Sequence, residues 1–256
     1  MRAAPAARAA RSGGAEAPPK AGAGASPCAR EREQKAFAFE RKTAMSEQGK
    51  FIVIEGLDGS GKGTQISRLA AALSERGVRF ELTAEPTPHA TGGLVRDALG
   101  GITKRTPAEL AGLFLADRIA HCQNPHDGIA ALLKQGVTVV CDRYYYSSFA
   151  YQGMDLGLDW VMSANLGCPA ILKPDLCIFL DVPTEVADRR ISLGRSSREI
   201  FEQAETIERV RRKYFEVFGI LSDTHNVKII NAARTPDEVF ADVWAAAAEI
   251  LDGTEK

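Results

Sequence analysis

The chain has 256 residues, 45% of them hydrophobic and 25% charged, with a formal net charge of −1. That balance fits one α/β domain of ordinary size and supplies no global basic field for nucleic acid. Its apolar runs, such as "VTVVC" and "LCIFLDV", are too short to span a membrane, and its five cysteines, without a CxxC pair, read as reduced thiols of a cytoplasmic protein.

Residues 1–44 stand apart. The first thirty hold twelve alanines, five basic residues and one acid, Glu16. No helical or strand period gives them a face to bury, so the segment is expected to be disordered. An Arg- and Ala-rich, acid-poor leader has the make-up of an organellar transit peptide, without the apolar stretch of a secretory signal. The preferred alternative is a start at Met45, because "MSEQGKFIVIEG" leads naturally into a first strand. A functional tail is the third reading, and intact mass of the native protein decides whether the segment is present. The expected domain covers 45–256.

From Lys50 onward strand-like and helix-like segments alternate. "FIVIE" (51–55) is a short apolar run, followed by an amphipathic helix over about 62–76. "RFELT" (79–83), "VTVVC" (137–141), "DLCIFLDV" (175–182) and "VKIIN" (227–231) are further strands, and helical periodicity covers 106–134, 184–193, 199–218 and 236–251. Strands alternating with helices predict a mainly parallel sheet covered on both faces. In such sheets ligands lie beyond the carboxyl ends of the strands.

The first of those ends carries "GLDGSGKGT". Gly56, Gly59 and Gly61 allow backbone angles that let the loop amides face inward. With the following helix N-terminus they form a phosphate cradle, to which Lys62 adds a point charge. A strand before and an amphipathic helix after argue against a plain Gly/Ser connector. Two features are unusual: Asp58 is a carboxylate inside an anion site, and Gly63 stands where a magnesium hydroxyl is normally found, with Thr64 one residue later. Magnesium readily keeps its waters and takes one or two carboxylates plus phosphates; Asp142, ending "VTVVCD", is the candidate, directly or through water.

Other elements have no part in holding ATP. "TAEPTP" (83–88) places Glu85 on a proline-stiffened loop. Phe114, Arg118 and His121 share one helical stripe, suited to stacking on and bonding to a planar base. On spacing alone, a core Phe with a snorkelling Arg is an equal reading. "DRYYYSSFAYQG" (142–153) brings Asp142, Arg143, two serines and Tyr151 to a strand's carboxyl end, although a tyrosine cluster alone is commonly packing. "RRISLGRSSR" (189–198) has four arginines and no acid; it is either a solvated face or a lid whose arginines neutralise a transferring phosphoryl group.

Four stretches in this order, "GLDGSGKGT", "EPT", Phe114-x-x-x-Arg118 and "DRYYYSSFAYQ", resemble the thymidylate kinases, which make dTDP from dTMP and ATP. The resemblance covers residues 51 to about 251. It implies an α/β P-loop NTPase fold, a five-stranded parallel sheet flanked by helices, with an arginine-rich lid over about 189–202. It further implies ATP and Mg²⁺, a role in dTTP synthesis, a homodimer, and no nucleic-acid or membrane partner. Gly56, Gly59, Ser60, Gly61, Lys62, Gly63 and Thr64 would bind the ATP phosphates, and Asp58 the sugar 3′-hydroxyl of dTMP. Phe114 would stack on thymine and Arg118 bond to it. Arg96 and Arg143 would hold the acceptor phosphate, with Asp142 near the metal. Glu85, Ser148 and Gln152 would complete the dTMP pocket, and Tyr151 would crowd the 2′ carbon. Arg190, Arg195 and Arg198 are the lid candidates for catalysis beside Lys62 and Arg143. Three departures stand out. The family's "REP" reads "AEP" here, the loop has no basic residue between Gly59 and Gly61, and "GKGT" is closer to adenylate kinase wording. The second places the catalytic charge in the lid.

Overall fold

A computed structural model of the chain describes residues 48–194 and 204–253. Segment 1–44 and the expected lid from residue 195 onward, Arg195 and Arg198 included, lie outside the described residues. Five strands, β1 (Phe51–Gly56), β2 (Phe80–Ala84), β3 (Thr138–Asp142), β4 (Leu176–Asp181) and β5 (Val227–Asn231), form one sheet in the order β2-β3-β1-β4-β5. Every pairing is parallel.

The central strands are buried on both faces, which is why they read as unbroken apolar runs. Phe51 and Val53 of β1 enter one core cluster, with Cys141, Cys177 and Phe179 from its neighbours. Ile52 and Ile54 enter the other, with Val140, Ile178 and Leu180. This is the two-residue alternation of a strand. Val53 lies opposite Cys141 on one side and Cys177 on the other. Both thiols are buried, and burial pushes their pKa well up.

The helices are α1 (Lys62–Glu75), α2 (Ala90–Leu99), α3 (Pro107–Gln123), α4 (Ile129–Lys134), α5 (Tyr145–Leu156), α6 (Leu158–Leu166), α7 (Thr184–Gly194), α8 (Ala204–Leu221) and α9 (Pro236–Leu251). Leu69 and Leu73 of α1 and Val243 and Ile250 of α9 cover one face. The tyrosines of α5 and Val210, Tyr214 and Phe218 of α8 cover the other. Helices α3 and α9 start alike, as "TPAE" and "TPDE": the threonine accepts from the N3 amide and the glutamate carboxylate accepts from the cap amide.

The predicted helix over 106–134 is in fact two. "NPHDG" divides α3 from α4, because Pro125 offers no amide and disfavours helical backbone before it. Three helices were not foreseen. In α2, "ATGG" lowers propensity, but Gly92 is needed there, since a Cβ would meet the Thr87 carbonyl oxygen at 2.0 Å. In α5 and α6 the aromatic and serine-rich sequence hides a helix that tertiary packing enforces. No described helix is long and apolar enough to cross a membrane.

Candidate active site

β1 lies between β3 and β4, where the strand order reverses, and a cavity of about 900 Å³ opens beyond the carboxyl ends of β1, β2 and β3. The loop after β1 forms one wall. Gly56 and Gly61 have φ of 151° and 97°, values a side chain would resist. A Cβ on Gly56 would also meet Ser60 Oγ at 2.6 Å. Lys62, the first residue of α1, is 8% exposed, and its ammonium donates to the carbonyls of Gly56 and Leu57 at 3.0 Å. Burial, reinforced by Arg143, lowers its pKa to about 8, against the pull of Asp58, Asp142 and Glu55.

The second wall comes from the β3 end. Asp142 closes the strand, and Arg143 follows with φ 66°, the one non-glycine residue with positive φ among the described residues. Such backbone is held only where its surroundings fix it. Its amide donates to the Ile54 carbonyl. Its guanidinium donates to Asp58 at 2.5 Å and to Ser147 Oγ at 3.3 Å, and stands 5.9 Å from the Tyr151 ring centroid. Asp142 Oδ1 is buried without a hydrogen-bond partner.

The third wall carries Phe114 and Arg118 of α3, Glu85 and Pro86 after β2, Arg96 of α2, and Ser148, Tyr151 and Gln152 of α5. Arg118 pairs with Glu85 and also bonds to Ser148 and Asn165. Arg96 donates to the carbonyls of Pro86 and Thr87. Arg190 reaches the cavity from α7, donating to the Gly59 carbonyl at 3.3 Å and the Ala232 carbonyl at 3.2 Å. Asp58, Gly59, Gly61, Lys62, Gly63 and Thr64 also line the space, whereas Gly56 and Ser60 support the loop from behind. Except for these two, His121, which bonds to Thr83 and Glu85 behind the cavity wall, and the undescribed Arg195 and Arg198, every singled-out residue borders one space.

Three buried groups escaped sequence reading. Glu55, 0% exposed, accepts from the amides of Tyr144 and Ser147 and from the hydroxyls of Ser147 and Tyr214. It therefore holds the start of α5, next to Arg143. Burial raises its pKa, against Arg143 and these donors. Asp117 accepts from the Thr87 amide and the hydroxyls of Thr87 and Thr91, fixing the loop that carries Glu85. Asn165 meets Arg118 from α6. Only Glu55 left a signal: a carboxylate ending an otherwise apolar strand has to find donors.

The family model described as "Thymidylate kinase" matches residues 54–243. A "Probable thymidylate kinase" of Pyrococcus horikoshii is 36% identical over 205 residues, 77% of this chain and 95% of that protein. A "Thymidylate kinase" of Desulfotalea psychrophila is 35% identical over 205 residues, 79% of this chain and 96% of that protein. One of Thermomicrobium roseum is 36% identical over 205 residues, 78% and 95% of the respective chains.

Proposed function

The chain belongs to the thymidylate kinase family, and from that premise we infer that it transfers the γ-phosphoryl group of ATP to dTMP, giving dTDP and ADP for dTTP synthesis. One observation carries the assignment of residues. The P-loop lysine, the strained Arg143 and the Phe114–Arg118 stripe border a single cavity, so a phosphate cradle and a place for a second nucleotide share one space.

In an in-line transfer, an anionic oxygen of the dTMP phosphate forms a bond to the γ-phosphorus. The bond from that phosphorus to the β,γ-bridging oxygen breaks, and ADP leaves with the electron pair. The acceptor is already ionised, so no general base is required, and catalysis comes from alignment and charge neutralisation. Lys62 and the loop amides hold the ATP phosphates. Arg143 and Arg96 hold the acceptor phosphate, and Arg143 is aligned for this by Asp58 and Ser147. Phe114 stacks on the base, Arg118 bonds to its edge, and Tyr151 with Gln152 packs the sugar side. Asp58 meets the 3′-hydroxyl. Arg190, with Arg195 and Arg198, brings further positive charge from the lid, whose closure excludes water.

The residues fit a magnesium ion held mostly by phosphates and water. Asp142 Oδ1 is buried and unpartnered, and no group of three His, Cys, Asp or Glu among the described residues forms a dedicated cage. Asp142 would hold the ion, which when bound neutralises phosphate charge. A cytoplasmic homodimer without nucleic-acid or membrane partners completes the proposal. Leu94 of α2 and Trp160 and Leu166 of α6, each exposed by more than 40%, support the dimer.

The test is a side-by-side assay of dTMP, dUMP, UMP, CMP and AMP with MgATP. Clear preference for dTMP is expected. Equal turnover of AMP or CMP, or ATP hydrolysis indifferent to any acceptor, would sink the assignment.

A further inference from the structure

Arg118 borders the cavity yet is only 1% exposed. A guanidinium has five N–H groups, and the protein itself occupies most of them. Nε donates to Glu85 Oε2 at 2.8 Å. Nη2 lies 2.7 Å from that same oxygen and donates to Ser148 Oγ at 3.2 Å. Nη1 donates to Asn165 Oδ1 at 2.6 Å. One Nη1 N–H is thus without a partner among the described residues. The plane of the group is further set by the Tyr144 ring, whose centroid is 5.2 Å away.

The partners of Arg118 are themselves fixed. Asn165 Nδ2 donates to the Val161 carbonyl at 2.8 Å, one turn earlier in α6. With the amide nitrogen committed there, the oxygen is the atom that meets Nη1. Glu85 Oε1 lies 3.0 Å from His121 Nδ1. A carboxylate paired with Arg118 only accepts, so Nδ1 carries the proton, and Nε2 pairs with the Thr83 hydroxyl at 2.8 Å. Asn165 and His121 are 3% and 4% exposed, and neither lines the cavity.

We propose that Asn165 and His121 are positioning residues for base selection, clamping Arg118 from two sides so that its one remaining N–H is offered in a fixed direction. This rests on reading the cavity as the dTMP site. A lone fixed donor rewards a carbonyl oxygen on the base edge. Facing an exocyclic amino group, it leaves donor against donor inside a buried site. The clamp therefore separates 4-oxo from 4-amino pyrimidine nucleotides, and it does so with residues on α3 and α6 that never touch the substrate. A loose guanidinium would turn to suit either base.

The experiment compares wild type with Asn165→Leu, Asn165→Asp and His121→Phe, measuring KM for dTMP and for ATP, kcat, and the inhibition constant of dCMP. Asn165→Leu removes the acceptor at similar volume, whereas Asn165→Asp keeps it. Asn165→Leu and His121→Phe should each raise KM for dTMP about tenfold while dCMP binds no worse. The KM for ATP and kcat at saturating dTMP should stay within about twofold, and Asn165→Asp should recover most of the dTMP affinity. If Asn165→Leu fails to fold, Asn165→Ser and His121→Gln carry the same expectation. A KM for dTMP that does not move, or equal weakening of dTMP and dCMP, overturns the clamp alone. A wild type that takes dCMP as readily as dTMP overturns the dTMP reading itself.

Discussion

In the proposed reaction, Lys62 is the residue on which nucleotide binding and protein burial make opposite demands. The phosphates need its charge, and its surroundings lower its pKa to about 8. A depressed amine pKa means that the charged, binding-competent form prevails below about pH 8 and is lost above it. The groups facing it are Arg143, which favours loss of the proton, and Asp58, Asp142 and Glu55, which oppose it. For the free enzyme, kcat/KM for MgATP should therefore fall on an alkaline limb near pH 8. The limb of kcat should lie higher, because bound phosphates favour the charged form. Lys62→Arg should abolish the limb, and Lys62→Ala should cost orders of magnitude in turnover while the fold persists; an unmoved pH profile in Lys62→Arg would refute the role. Asp58 faces the same cavity. Its carboxylate holds Arg143, so Asp58→Ala should raise KM for dTMP more than for ATP. Equal effects on both would remove its proposed place at the sugar.

Among elements, the junction of β1, α5 and α8 depends on Glu55. Replacing it with Ala leaves the Tyr144 and Ser147 amides without an acceptor, and the expected loss is about 3 kcal/mol in urea unfolding. The Ser147 and Tyr214 hydroxyls are 2.9 Å apart and re-pair with each other. Glu55→Gln should cost less than about 1 kcal/mol, since its oxygen keeps the amides and its nitrogen donates to the hydroxyls. Because the Glu55 pKa is raised in the fold, the native state holds that proton more tightly than the unfolded chain. Relative to Glu55→Gln, the wild type should thus gain stability as pH falls through the folded pKa toward 4.5, and lose it again on the way up. The strands and the long amphipathic helices were legible in sequence because one period ran through each. Helix α5 was not, because "YYSSFAYQG" has weak helical preference, and its start is fixed by a carboxylate ninety residues earlier in the chain. The Asn165 contact was equally hidden, since no local spacing relates α6 to Arg118.

For the whole molecule, the five-stranded parallel sheet and the gathering of motifs at the strands' carboxyl ends were legible from alternation along the chain, whereas the strand order was not, because it is set by crossovers that no local pattern records. Helices α2 and α6 both pack on α3 and leave Leu94, Trp160 and Leu166 facing solvent. Sedimentation should therefore report a dimer, and Trp160→Glu should shift it toward monomer with little change in melting, because that side chain is half exposed within one copy. A wild type that sediments as a monomer at micromolar concentration would count against the dimer. Chelation of Mg²⁺ should abolish turnover, and Asp142→Asn should raise the concentration of Mg²⁺ required.

The two cysteines that flank Val53 in register have a use beyond packing. Parallel strands lie about 4.8 Å apart, which places β3 and β4 about 10 Å from one another across β1. A disulfide cannot span that distance, so oxidation cannot staple the native sheet through Cys141 and Cys177. Alkylation is equally slow while both thiols stay buried and protonated. The rate at which a thiol reagent labels them would time the opening of the central strands, giving a chemical clock for that motion.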